Sequence, residues 1–417
     1  MRAARAHGRN EFLEYFNSLF DKGTPECPDC VEIQIRPKER YVLTRDPEHI
    51  KAVLTTKFAS YGKGPRFHDL WRPFLGDSIF TTDGQLWSDS RSLIRPMFAK
   101  DRVSDLATPQ SEFVSAFNEV QSIQMMLTMI GPFEAVTPRH RYNRGIAIIN
   151  RFVMPYIEQA LALPQDELEK ISNSDRDNNF TFLHSIARHT RDPSVVRDQL
   201  VAVLLAGRDT TAATLSWTFF ELCRYPEKLA KLRREVLGTV GRTGTPNYDD
   251  LKSMTYLRHT LNETLRLYPA VPYNLRAALE DTTLPPGTPG QPPISVVQGD
   301  IVIYSTLAMQ RRKDLYPPIS ETFADPAVFS PERWESWTPK PWQYVPFNGD
   351  PRICVGQDFA MTEMAYCMVR ILQKYDRLEY RGDWHAQKHE AEVVGRPSRG
   401  VKVALYEEFA GAMNGKV

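Results

Sequence analysis

Apolar side chains recur every three to four residues through most of this chain, and every second residue only in a few short stretches. That contrast predicts a mainly helical protein with a small β portion. Residues 9–20 set Phe12, Leu13, Phe16 and Leu19 on one face of a short helix. The period then changes: in "VEIQIRPKERYVLT" (31–45 region) Val31, Ile33 and Ile35 alternate with polar neighbours, as in a half-buried strand pair. "DPEHIKAVLTT" (46–56) starts a helix with Asp46 as N-cap and Pro47 at its first position. Helical patterns follow over 84–100, 108–130, 145–170 and 178–188, and the longest runs from Pro193 to about Cys223. Further helices are expected near 226–240, 248–252 and 254–268. Strands at 271–278 and 296–305 flank "LPPGTPGQPP" (284–293), which reads as loop. A helix at 354–374 and strands at 376–381 and 400–406 close the chain.

Composition narrows the function classes. The chain has 417 residues, 42% hydrophobic and 25% charged, with a formal net charge of +1, so nothing points to nucleic acid. Five cysteines do not build a disulfide framework in a chain of this length. The pair Cys27 and Cys30 in "CPDC" reads as a redox motif or half a zinc site, without a second metal-ligand pair nearby. The N-terminus is basic and then amphipathic, unlike a signal peptide, and no apolar run is long enough to span a bilayer. The 31 prolines concentrate in 269–351, which predicts ordered coil organised around something bulky.

Four stretches carry candidate chemistry. In "NETLRLYP", Glu263 and Arg266 stand three apart and meet on one helix face; Arg333 of "PERW" could complete a buried triad, although the spacing alone equally suits an exposed ion pair. In "LLAGRDTTAATLSW", Gly207, Asp209, Thr210 and Thr211 interrupt an apolar helix with poor helix formers. A threonine hydroxyl bonding to an upstream carbonyl could bulge the helix there, beside a carboxylate able to feed in protons; the bland reading is a kinked core helix. In "PFNGDPRICVGQDFA", Cys354 lies at a helix N-terminus behind Arg352, and Gly356 lets backbone pass close to a flat ligand. Such a thiolate suits a metal with one protein ligand, for which a haem supplies the other four; an inert buried cysteine is the alternative. In "WSDSR", Trp87 and Arg91 are one helical turn apart and could present an indole N–H and a guanidinium to one carboxylate, or merely decorate a surface.

Taken in order, these motifs resemble those of the cytochrome P450 family, the haem-thiolate monooxygenases, over nearly the whole chain as a single domain (1–417). The motifs are Trp87/Arg91, "AGRDTT" (206–211), Glu263/Arg266, "VPYNLRAA" with Arg276, "PERW" (331–334), and the loop from Phe347 to Gly356. The phrases "ARAHGRNEF", "YSTLAMQRRKDLY" and "PFNGDPRICVGQDFA" resemble the fungal branch of alkane and fatty-acid hydroxylases. The resemblance implies haem b with Cys354 as axial ligand, and Arg352, Arg276, Trp87 and Arg91 holding its propionates. Phe347 and Gly356 would pack on the thiolate side. Asp209 and Thr210 would be the acid–alcohol pair of oxygen activation, and Glu263, Arg266 and Arg333 would be structural. Residues 193–268 and 354–374 would supply the helices on either side of the haem. Electrons would come from an NADPH-cytochrome P450 reductase, and O2 would oxidise a small apolar or amphipathic substrate. By resemblance the location is the cytoplasmic side of the endoplasmic reticulum, with peripheral membrane contact.

Three departures stand out. Asp350 occupies a position where the family pattern has glycine, in a turn that favours positive φ; it puts a negative charge near the thiolate and is expected to weaken haem incorporation or shift the redox potential. Only 118 positions separate Arg91 from Asp209, which implies a shortening around 104–112 and the loss of intervening helices. The chain also begins downstream of the anchor and proline-rich hinge expected of relatives. The rival readings are a non-catalytic remnant that holds haem poorly, favoured by the shortening and Asp350, and an isomerase or dehydratase that needs no O2.

Overall fold

The computed structural model describes residues 6, 9–36, 39–98, 111–173 and 182–407. Helix α1 (Phe12–Leu19) buries Phe12, Leu13 and Leu19 and leads into an antiparallel hairpin of β1 (Cys30–Arg36) and β2 (Glu39–Thr44). Asp46 then caps the expected helix, accepting hydrogen bonds from the amides of Glu48 (2.7 Å) and His49 (3.4 Å). Only Pro47–Lys51 is regular; the next turn, Ala52–Thr56, widens to a π-helix. Strand β3 (Tyr61–Gly62), helix α2 (Gly64–Leu75) and helix α3 (Gly84–Ile94) follow. The run expected to reach residue 100 tightens into a 3₁₀ turn at Arg95–Phe98, where Pro96 can donate no backbone hydrogen bond.

Helices α4 (Ser111–Ile130) and α5 (His140–Ala162) pack through a core containing Phe113, Phe117, Val120, Tyr142, Ile149 and Val153. The single helix expected over 145–170 is two. Leu163 takes ψ 133°, the extended conformation imposed on a residue before proline, and α6 (Gln165–Asn173) restarts beyond Pro164. Helix α7 (Phe182–His189) precedes the longest one, α8 (Pro193–Arg224), capped by Asp192 with Pro193 at its first position. Its first half buries Val196, Val201 and Leu205 in the α4–α5 core. Its end enters a second core through Leu222, shared with α9 (Pro226–Val240), α10 (Tyr248–Ser253), α11 (Thr255–Leu267) and α12 (Gln357–Lys374). So one helix ties two cores together. The expected shortening between Arg91 and Asp209 centres on 104–112, of which 104–110 lie outside the described residues.

The β portion is small. Strands β4 (Tyr273–Ala278) and β7 (Ile301–Ser305) join the first three in a sheet ordered β1-β2-β7-β4-β3, in which β2 and β7 run parallel. The strand expected over 296–305 breaks at Gly299, whose φ of 92° is open to glycine, leaving β6 (Ile294–Val296) to pair with β5 (Thr282–Leu284). Strands β8 (Tyr375–Tyr380) and β11 (Val403–Glu407) pair near the C-terminus, as do β9 (His389–Ala391) and β10 (Gly395–Pro397). Three-residue strands such as β5, β9 and β10 are too short to show a period of two. Helix α12 begins at Gln357, so Cys354 lies three residues ahead of the helix expected to contain it.

Candidate functional site

The loop that carries Cys354 is held from within. The Cys354 amide donates to the Phe347 carbonyl (2.8 Å), that of Ile353 to Asp350 (2.8 Å), and that of Asn348 to Val345 (3.2 Å). Asn348 and Asp350 take φ of 65° and 44°, the left-handed region that asparagine and aspartate tolerate best after glycine. Tyr304 clamps the first of these, its hydroxyl donating to Asn348 Oδ1 (2.9 Å). A Cβ on Gly349 would come within 2.5 Å of the Trp342 ring. The loop is therefore held by its own backbone bonds, by Tyr304 and by the close packing of Gly349 on Trp342.

Cys354 is open to solvent on one side, yet enough protein surrounds its sulfur that burial pushes the thiol above its ordinary range. The Gly356 amide and the Arg91 guanidinium pull it back down. Gly356 itself faces Phe98, whose ring carbons a Cβ would meet at 3.3 Å; the close approach expected toward a flat ligand is toward this ring. Phe347 is half-buried and anchors the loop through its carbonyl.

Beside the loop, positive charge accumulates. The buried Arg352 side chain donates to Asp83 Oδ1 (2.6 Å) and to the carbonyls of Thr82 (3.2 Å) and Ile79 (3.4 Å). Its guanidinium lies 4.4 Å over the Trp87 ring, and its Nε has no partner. Arg276, also buried, donates to Asn274 Oδ1 (3.1 Å) and the Leu275 carbonyl (2.7 Å). Lys63 Nζ reaches the same Asn274 oxygen (3.2 Å). Burial and the repulsion of Arg276 brings Arg352 down to about 10; burial, then Arg276 and Arg352, push Lys63 well below the lysine range, against the pull of Asp83. The Arg91 guanidinium lies 5.9 Å over the Trp87 ring. The indole lies under Arg352, whereas Arg91 Nη1 donates to the Ile353 carbonyl (2.8 Å) and braces the cysteine loop.

The residues fit a haem. The soft sulfur donor is in place, and Lys63, Arg276 and Arg352 oppose a single carboxylate, leaving positive charge that two propionates would neutralise. Lys63, Asp83 and Asn274 were missed from sequence. Asp83 also accepts from the amides of Lys63 (2.8 Å) and Gly64 (2.8 Å), and a Cβ on Gly62 would strike its carboxyl at 2.7 Å. The signal was the pair of glycines around Lys63 in "YGKG".

On α8 each threonine bonds to the carbonyl four residues back: Thr210 to Ala206 (2.5 Å), Thr211 to Gly207 (2.7 Å), Thr214 to Thr210 (2.9 Å) and Thr218 to Thr214 (2.9 Å). The expected bulge is absent: α8 is continuous from Pro193 to Arg224, because these bonds parallel the helical ladder without replacing it. Gly207 instead makes space by having no side chain, with nothing within 4 Å of where its Cβ would be. Asp209 accepts from Gln121 Nε2 of α4 (2.7 Å), with Arg208 Nε 3.6 Å from its other oxygen.

The third constellation is closed. Glu263 receives Arg266 at 2.8 Å on both oxygens, Arg333 Nε at 2.9 Å, the Ser330 amide at 2.9 Å and the Trp334 indole at 3.0 Å, with all three charged side chains fully buried. It joins α11 to the coil leading toward the cysteine loop. Between α10, α11, α12 and that loop lies a groove of about 480 Å³ lined by Tyr248, Lys252, Arg258, Phe347, Ile353 and Asp358. Cys27 and Cys30 remain free thiols, and no cluster of metal-binding side chains occurs among the described residues.

Residues 102–405 match the family model described as cytochrome P450. The chain is 42% identical over 437 residues to cytochrome P450 monooxygenase pvhE of Talaromyces variabilis, covering 88% of this chain and 80% of that protein. It is 38% identical over 406 residues to cytochrome P450 52A1 of Candida tropicalis, covering 81% and 72%. As 88% of 417 residues is about 367, some seventy of those 437 aligned positions fall opposite gaps in this chain, in keeping with a shortened protein. Among solved structures, the heme domain of cytochrome P450DA shares the fold with a TM-score of 0.74 at 19% identity, over 95% of this chain and 92% of that one. These likenesses give the remnant reading no support.

Proposed function

The chain belongs to the cytochrome P450 family, and from that premise we propose that it inserts one oxygen atom from O2 into a long-chain aliphatic, fatty-acid or related apolar substrate. It is a haem-dependent monooxygenase; the substrate class is our reading, from the likeness of its N-terminal and cysteine-loop phrases to fungal alkane and fatty-acid hydroxylases. When bound, the haem would supply oxygen activation, with electron donation from a thiolate ligand. Cys354 would be that thiolate, prepared by the Gly356 amide and Arg91. Lys63, Arg276 and Arg352 would hold the propionates, Trp87 would keep the Arg352 plane in place, and Arg91 would fix the loop. Asp209 would take protons from solvent and pass them to Thr210. Glu263, Arg266 and Arg333 would lock the coil that bears the cysteine.

Enzymes of this family generally draw electrons from a reductase. Here an NADPH-dependent one would dock over the groove beside the cysteine loop, where Lys252 and Arg258 offer positive charge. No described helix is long and apolar enough to cross a membrane.

The observation that carries this reading is the rigid loop placing Cys354 beside cations that lack sufficient counter-charge. Its test is the absorption of the reduced, CO-bound protein. Wild type should show the red-shifted Soret band of a thiolate-bound haem, and Cys354→Ala should lose it; the same band in both would overturn the assignment. Turnover of fatty acids and alkanes against unrelated apolar compounds then tests the substrate class.

A further inference from the structure

The acid–alcohol pair is not aligned for proton transfer in this structure. Both oxygens of Asp209 are occupied on the α4 side: Oδ2 by the Gln121 amide at 2.7 Å, Oδ1 facing Arg208 Nε at 3.6 Å. The Thr210 hydroxyl meanwhile gives its proton to the Ala206 carbonyl at 2.5 Å. The Gln121 side chain is buried, and its amide makes a charge-assisted bond to the half-buried Asp209 carboxylate. Phe117, one turn earlier on α4, lies under the Arg208 guanidinium at 5.9 Å, so the two helices meet side chain for side chain at this point. At 2.7 Å against 3.6 Å, the Gln121 bond is the closer of the two contacts holding Asp209.

We infer that Gln121 is a positioning residue that turns the Asp209 carboxylate toward α4 and so gates proton delivery. Asp209 must leave the Gln121 amide before it can hand a solvent-derived proton to Thr210 Oγ1, which passes its own proton onward. The fraction of time Asp209 faces Thr210 is then set by the competition between these partners. A helix of another part of the chain thus controls the step. The inference rests on the reading of Asp209 as the proton carrier, and its test keeps the two apart.

Gln121→Met keeps the length and volume while removing the N–H donor, and Gln121→Leu is a second variant in case the thioether repacks. Two properties are measured in the haem-loaded protein. One is the isotope-edited infrared carboxylate stretch of Asp209, assigned against Asp209→Asn. The other is the share of reducing equivalents released as hydrogen peroxide instead of product. The expected result is a displaced carboxylate band and at least a twofold change in the peroxide share, with thermal melting unchanged. A band that stays in place, or a band that moves without a change in the peroxide share, overturns the gate. If Asp209→Asn itself leaves the peroxide share unchanged, the reading of Asp209 fails instead, whatever Gln121 does.

Discussion

Around Glu263, two guanidinium groups share one carboxylate, and their remaining N–H groups end on the carbonyls of Gln310, Ala324, Asp325 and Val328. Beside Asp83, three cations gather but only Arg352 pairs with its carboxylate, Lys63 and Arg276 share the single side-chain oxygen of Asn274, and Arg352 Nε ends on nothing. Both clusters are arginine-rich and withdrawn from water. In the first, Glu263 holds Arg266 above its ordinary range even though burial opposes it, while burial, with the repulsion of Arg266, brings Arg333 below its own against the pull of Glu263. In the second, burial and mutual repulsion push Lys63 and Arg352 down, and Asp83 cannot compensate. On the reading proposed above, the difference separates charge that serves the fold from charge that serves a ligand. A structural cluster is balanced when the protein is alone; a ligand-directed one is balanced only by what binds.

The largest effect should come from unbalancing the balanced cluster. Glu263→Gln leaves two buried arginines without a counter-ion, a change worth about 3–5 kcal/mol for a buried pair broken on one side. Chemical denaturation should show that loss with or without haem. A loss confined to the haem-loaded protein would mean the triad serves the ligand after all.

Relieving the unbalanced cluster should have opposite signs in the two states. In Lys63→Met the ligand-free chain loses a repelled cation, so its stability should hold within about 1 kcal/mol or rise. Haem should leave about tenfold faster, equivalent to about 1.4 kcal/mol, measured by transfer to an excess of a haem acceptor. Equal destabilisation of both states would erase the distinction between the clusters.

The same lysine gives a pH signature. Its folded value is depressed, so the unfolded chain holds the proton more tightly and protonation favours unfolding. The penalty is full below the folded value, shrinks as pH rises through the interval, and vanishes above the ordinary value of 10.5. Ligand-free wild type should therefore gain stability relative to Lys63→Met as pH is raised toward 10.5. Parallel curves for the two proteins would show that the charge of Lys63 is already compensated by its surroundings without a ligand.

How legible these clusters were in the sequence follows the same divide. Glu263 and Arg266 lie one helical turn apart, so local spacing alone brought them together, and Arg333 was found through a motif. Lys63 and Asn274 are 211 positions apart, and Lys63 and Asp83 meet through a backbone amide. No periodicity encodes such contacts. Gln121 was hidden for another reason: α4 buries polar residues such as Gln121 and Gln124 among its apolar ones, which blurs the helical stripe. The long helices were read well because their pattern persists. Their ends were read less well where proline acted, at Pro96 and Pro164, and short strands escaped because three residues cannot establish a period.

The smallest effect is expected at Asp350, the residue that departs most visibly from its family's loop pattern. Its φ of 44° explains what a glycine would do there, and aspartate meets the same demand at modest strain. The feared second effect, a negative charge on the thiolate, finds no counterpart. Asp350 is exposed, and Cys354 responds to burial, the Gly356 amide and Arg91. An exposed carboxylate is screened by water and salt, whereas Arg91 is braced against the loop by its bond to Ile353. Asp350→Gly should therefore change stability by no more than about 1 kcal/mol and leave the reduction potential of the bound haem where it was. Arg91→Met should move that potential clearly. If the order were reversed, the thiolate would be tuned from the solvent side of its loop, and the balance of charge around Asp83 and Arg91 would matter less than the turn that presents the cysteine.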